Sequence, residues 1–156
     1  MLMTTTVYAV GVPLILSLIF IEAMTSARKS LGFYELGDTG GTIGLLFGNI
    51  LTSVAIQGTT LGFSFYLYHF RLFTLNEVLA PWQVWVITFV AIDFIFYWYH
   101  RASHRVRILW AVHMNHHSSI EMNFTVALRH ACFGPIPQEP FFMVMPWVGF
   151  DPSISF

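Results

Sequence analysis

Three stretches almost free of charge limit what this chain can fold into. Val7 to Met24 is an 18-residue apolar run interrupted only by Glu22 near its end. Thr42 to Phe70 holds no charged residue over 29 positions, and Trp82 to Tyr99 holds only Asp93. As helices rising about 1.5 Å per residue, such runs cross most or all of a hydrocarbon layer about 30 Å thick. The whole chain agrees with them: 56% of its residues are hydrophobic and only 10% charged, where a soluble domain carries about one quarter charged. The expectation is an all-α, multi-span membrane helical bundle forming one membrane domain over 1–156, with spans at 7–24, 42–70 and 82–99.

Each boundary has a physical reason. A cleaved signal peptide is the rival reading of 7–24, because Ala23 to Ala27 is rich in small residues, but no Lys or Arg precedes the run. Ser30 to Gly41 reads as a Gly-rich polar connector and Arg71 to Pro81 as a short loop. The 42–70 stretch is either one tilted helix or a hairpin broken near Gln57 and Gly58, and a single crossing is expected. Trp82, Trp85, Tyr97, Trp98 and Tyr99 sit at the two ends of the third run, where amphipathic rings favour the headgroup level. With three spans, Arg28, Lys29, Arg101, Arg105, Arg107 and Arg129 share one side and only Arg71 lies on the other. The positive-inside rule then predicts an outside N-terminus and a cytoplasmic 100–131 region. Phe133 to Phe150 is apolar but carries Pro135, Pro137, Pro140 and Pro146, which predicts a broken or re-entrant segment beginning a fourth crossing.

Nucleic acid is excluded as a partner, since a net charge of -1 leaves no basic stripe to neutralise phosphates. Cys132 is the only cysteine, so a metal would rest on histidine and carboxylate. Six of the seven histidines, His100, His104, His113, His116, His117 and His130, fall within 31 residues. His100 and His104 lie one helical turn apart, and Asp93 and Tyr97 precede them on the same face. His113, His116 and His117 in HMNHH also share a helical face. Imidazole suits iron, zinc, copper and nickel alike, but five imidazoles exceed the four ligands of a structural zinc site, so a two-metal centre is the natural reading. His69 reads as an interfacial polar residue. Asp93 costs at least about 2.5 kcal/mol inside a span and is expected to face the bundle interior with a partner. Arg101, Arg105 and Arg107 read as topology determinants and headgroup contacts.

The boxes HRASH (100–104) and HMNHH (113–117), with the surrounding DFIFYWYHRASH, LWAVHMNHHSS and NFTVALRH, resemble the fatty acid hydroxylase and sterol desaturase superfamily. Within it they look most like the alkylglycerol monooxygenase branch. The resemblance implies a non-haem di-iron oxidoreductase, a hydroxylase, monooxygenase or desaturase. Two irons would be held by His100, His104, His113, His116 and His117, which would be the catalytic residues, with His130 and Arg129 near enough to join the site or orient a headgroup. It implies a lipid entering from the bilayer, dioxygen as co-substrate and an external electron donor: tetrahydrobiopterin, cytochrome b5 or a ferredoxin-type carrier. The membrane would be the endoplasmic reticulum in a eukaryote or the inner membrane in a bacterium.

The family pattern includes a further HxxHH cluster that this chain does not carry before Phe156, so a fragment with under-coordinated irons is the expectation. The rival functions are a membrane metal-binding or metal-transport protein, in which intramembrane His and Asp line an ion path, and a b-type cytochrome, which would need only two axial histidines. No Ser/His/Asp constellation or phosphate loop supports hydrolase or kinase chemistry.

Overall fold

The computed structural model describes the backbone of residues 2–155 and the side chains of residues 9–153. Met1 and Phe156 lie outside the described residues, as do the side chains of Val7 and Tyr8 at the start of the first expected span. The regular structure among the described residues is all helical: α1 (Leu2–Lys29), α2 (Leu36–His69), α3 (Leu75–Val78), α4 (Pro81–Ser103), α5 (Arg107–His113), a 3-10 turn (Phe124–Leu128), α6 (Pro135–Phe142), α7 (Val144–Val148) and α8 (Pro152–Ser155). No strand forms among the described residues.

Three helices are long and apolar enough to cross a membrane: Ala9–Lys29 within α1, α2 and α4. Only 6%, 6% and 17% of their most apolar windows is buried within the protein. Val10, Phe20, Phe47 and Phe89 are all more than 60% exposed, an arrangement that water would penalise and lipid accommodates. The chain is a membrane protein whose long helices turn their apolar sides outward.

Local chemistry explains where these helices begin and end. α2 runs unbroken through Gln57 and Gly58, so the hairpin alternative fails. It also starts at Leu36, six residues before the expected span, because the Glu35 side chain accepts the Asp38 N–H at 2.6 Å and caps its first turn. The polar connector is correspondingly short. The turn out of α1 closes when Phe33 N–H donates to Ser26 Oγ at 3.1 Å, with Ser30 and Gly32 both at positive φ. α4 starts at Pro81, where proline's missing N–H costs nothing, and the Ala80 N–H donates to Gln83 Oε1 at 2.9 Å. It continues past Tyr99 to Ser103, so the first histidine pair lies at the end of this long helix.

The proline-rich 133–150 segment folds as two short helices, α6 and α7, separated at Met143. They pack back along α2. Asn49 Nδ2 donates to the Ala131 carbonyl at 2.8 Å where the segment starts, and Ser64 Oγ lies 3.5 Å from Met143 Sδ further along. Gly48 permits this approach, since a Cβ there would collide with Cys132. The far end is tied to the loop after α2 by Leu72 N–H to Trp147 O at 2.9 Å and Phe73 N–H to Val148 O at 3.2 Å. Gly149, at φ 129°, leaves no room for a side chain against the Phe73 carbonyl.

Gly149→Ala is therefore expected to cost more than about 1 kcal/mol, from a disfavoured φ and a clash together. Gly58→Ala places its methyl group in open space on a helical backbone and is expected to gain about 0.5–1 kcal/mol. Thermal unfolding of the two variants in the same detergent gives the comparison, and equal midpoints would contradict it.

Candidate metal centre

The last turn of α4 and the turn at the end of α5 bring four imidazoles together. α4 closes with Arg105 N–H and Val106 N–H both donating to the Ala102 carbonyl, at 2.9 and 2.8 Å, and the chain then re-enters helix at Arg107. Four-residue spacing stacks His100 over His104, with their Nε2 atoms 3.2 Å apart. The same spacing sets His113 Nε2 3.2 Å from His117 Nε2. Across the break, the His100 and His113 ring centres are 4.6 Å apart, His104 and His113 4.8 Å, and His104 and His117 4.9 Å. One nitrogen each from His100, His104 and His113 lies within 4.8 Å of the others. Trp110 packs one side, its ring stacked on His117 at 5.7 Å and close to His104 at 5.4 Å.

His113 and His117 are poor proton acceptors. Burial, then the neighbouring imidazoles of His100 and His104, lowers His113 to a pKa of about 4. Burial followed by His116 and His104 lowers His117. A neutral imidazole offers a lone pair to a metal, and nitrogens converging this closely suit one.

The other candidates fall into different places. His116 lies beside the group, 5.3 Å from the His117 ring, with its Nδ1 3.4 Å from the Arg129 carbonyl. His130 keeps an exposed edge, while partial burial of its ring, with His116 nearby, lowers its pKa. His69 sits at the distant end of α2 with its ring against Phe70. Asp93 does not face the bundle interior as expected. Val84, Thr88, Tyr99 and Ser103 form the buried side of α4, and helical periodicity puts Asp93 on the opposite side. There it is exposed and lines an open 280 Å³ cavity with Phe96, Tyr97 and His100. Tyr97 accepts a 2.7 Å hydrogen bond from Arg101.

Two supports were not legible in the sequence. Arg129, which reads there as a positive charge on the histidine side, near enough to join the site or orient a headgroup, is buried at 8% exposure and paired with Asp38 at 2.8 Å. Its Nε donates to the Asn115 carbonyl at 3.0 Å and to Ser118 Oγ at 3.2 Å, and its Nη1 donates to Thr42 Oγ1 at 3.0 Å. Ser119 Oγ donates to the other Asp38 oxygen at 2.5 Å. The loop that follows HMNHH is thereby fastened to the start of α2. Glu22 is the second support: its Oε2 accepts from Tyr34 Oη at 2.6 Å and from the Phe124 N–H at 2.7 Å. Burial and this carboxylate push the Tyr34 phenol well above its ordinary range. Glu22, Ser119, Asn123 and Phe124 line a 620 Å³ cavity that also touches His116 and His117.

Asp38→Ala would leave the Arg129 charge buried without its partner, a loss expected to cost about 3–5 kcal/mol. Faster amide exchange over 115–119 should accompany the lower unfolding midpoint. For His113, the unfolded chain binds a proton near pH 6.5 and the folded chain only near pH 4. This residue therefore destabilises the fold progressively as pH falls from about 6.5 to 4 and contributes nothing to pH dependence above that window. In metal-free protein, His113→Gln should flatten the fall in unfolding midpoint across that window, and an unchanged slope would contradict the assignment.

Residues 85–156, which contain both histidine pairs, match the fatty acid hydroxylase family model. The alkylglycerol monooxygenase of Xenopus tropicalis is 42% identical over 82 residues, covering 52% of this chain and 18% of that protein. The alkylglycerol monooxygenase of Homo sapiens is 34% identical over 123 residues, covering 76% of this chain and 27% of that protein. The corresponding protein of Danio rerio is 39% identical over 71 residues, 44% of this chain and 16% of that protein. The chain thus spans between 16% and 27% of the length of these relatives. No solved structure matches. Residues 85–156, with the histidine boxes within them, carry the match to the fatty acid hydroxylase family, and the chain is similar to its alkylglycerol monooxygenase branch.

Proposed function

We propose that this chain forms part of an iron-dependent, dioxygen-using lipid monooxygenase. The observation that carries the reading is the convergence of His100, His104, His113 and His117 at the ends of two helices, beside a cavity lined by Glu22 of α1 and the 116–127 segment. His100, His104 and His113 would hold one iron, with His117 and His116 positioned to share a second. Iron bound there would supply dioxygen activation and C–H oxidation. One oxygen atom enters the lipid, and the other leaves as water at the expense of two electrons and two protons from an external reductant. A pterin and a protein carrier both fit that requirement.

The chain's own groups have definite tasks in this reading. Neutral imidazoles bind metal without first releasing protons. Trp110 shields one side of the cluster from water. Arg129 and Asp38 hold the backbone that carries His116 and His117. The 620 Å³ cavity beside them, within the range of small-ligand sites, gives a lipid head room next to the cluster while its chain lies along the apolar faces of the helices.

The same reading makes α1, α2 and α4 alternate crossings, with the Lys29, Asp38 and His104 ends all cytoplasmic. Contacts from the 114–129 loop support a shared side: it reaches α1 through Phe124 and Glu22, α2 through Arg129 and Asp38, and α4 through His117 and His104. The Arg and Lys residues at those ends favour the cytoplasm.

Dioxygen uptake by the purified, iron-loaded protein in lipid nanodiscs tests the activity. Uptake is expected only when an alkylglycerol and a reductant are both present, and His104→Ala should bring it to background, a loss of at least about 100-fold. Uptake that ignores the lipid, or survives in the variant, would overturn the proposal.

A further inference from the structure

Midway along α2, far from the histidines, a group of polar side chains has no task in the chemistry above. Ser53, Gln57 and Thr60 recur at spacings of four and three, which places them on one face of an otherwise apolar helix. Glu139 of α6 meets this face, and the four residues line a 430 Å³ cavity with Val54, Ile56 and Leu61. Glu139 Oε2 is shielded from solvent yet has no hydrogen-bond partner. Thr42, which touches Arg129 beside the histidine loop, lies 15 residues before Gln57, a separation of about 22 Å along the helix.

A second cavity of 440 Å³ adjoins the first, sharing Ile56, Thr60 and Glu139 with it. Its remaining lining is mostly apolar, with Phe63, Ile136, Pro140 and Met143. Neither lining contains a basic residue. A polar compartment and an apolar one thus meet at a single carboxyl group packed against the long apolar helix α2, where an unsatisfied polar group is costly.

We propose that Ser53, Gln57, Thr60 and Glu139 form a second lipid site, which binds the hydroxyl-bearing head of an uncharged, single-tailed amphiphile and seats its tail against Phe63, Ile136 and Met143. Hydroxyl groups both donate and accept, so such a head answers the orphaned Glu139 oxygen, the Gln57 carboxamide and the Thr60 hydroxyl together. A phosphate or carboxylate head would meet Glu139 with no cation to balance it. The site stands apart from the histidine centre and needs no metal.

The test uses the whole chain in phosphatidylcholine nanodiscs with a monoacylglycerol that carries a photoreactive diazirine in its tail. The same tail on a free carboxylate and on a lysophosphatidic acid provides the comparison. Labelled peptides are mapped by mass spectrometry. The monoacylglycerol is expected to label 53–63 and 136–143 at least five-fold more than either anionic probe. Glu139→Leu should reduce that labelling at least five-fold, Gln57→Leu, at an exposed position, should reduce it without altering the unfolding midpoint, and Glu139→Gln should retain most of it. Equal labelling by all three heads, unchanged labelling in both leucine variants, or a cross-link from 53–63 to another copy of the chain in place of lipid would overturn the proposal.

Discussion

The buried ion pair between Asp38 and Arg129 is the contact on which the arrangement of the site depends. It joins the first turn of α2 to the loop that follows HMNHH, and it is surrounded by Thr42, Ser118, Ser119 and the Asn115 carbonyl. A pair taken out of water is stabilising only when its remaining donors and acceptors are met, and here Arg129 Nε and Nη1 and both Asp38 oxygens have partners. Without it the segment that carries His116 and His117 would be held by the Glu22 contact with Phe124 and the Asn123 contact with the Phe33 carbonyl. Long apolar helices supply the scaffold, but the polar knot at their common end determines where the imidazoles point.

The electrostatics of the histidines follow from that placement. Rings whose centres lie 4.6 to 5.0 Å apart cannot all carry charge. Burial and mutual repulsion therefore act in the same direction, and they favour the uncharged form that a metal requires. The cluster owes its form to two helix ends meeting across a three-residue break: His100 and His113 lie on helices, His104 caps α4, and His117 sits in the turn that follows α5.

Much of this was legible in the sequence because it rests on periodicity. Uncharged runs mark the three long helices, and the four-residue spacings of His100 with His104 and of His113 with His117 place those pairs one turn apart. Helix ends were less legible, since the Glu35 cap and the continuation of α4 to Ser103 depend on side-chain hydrogen bonds that hydropathy does not register. Asp93 runs against expectation because charge in an apolar helix suggests burial, whereas the buried side of α4 is fixed by Val84, Thr88, Tyr99 and Ser103. Arg129 is placed near the site by the sequence, but its burial and its pairing are not legible there. Its charge is indistinguishable in sequence from those of Arg101 or Arg105, and only the approach of α2, 91 residues earlier at Asp38, shows that it is buried. A pairing across that separation leaves no local pattern; an acidic residue in the first turn of α2 was the one available hint.

Metal content by plasma mass spectrometry, compared between the unaltered chain and the His104→Ala and His113→Ala variants purified in parallel, tests the central claim most directly. The geometry requires that both variants lose bound iron relative to the unaltered chain, by at least half, while remaining helical by circular dichroism. Equal iron in all three, or none in any after expression with iron in excess, would show that the converging imidazoles are not a metal site.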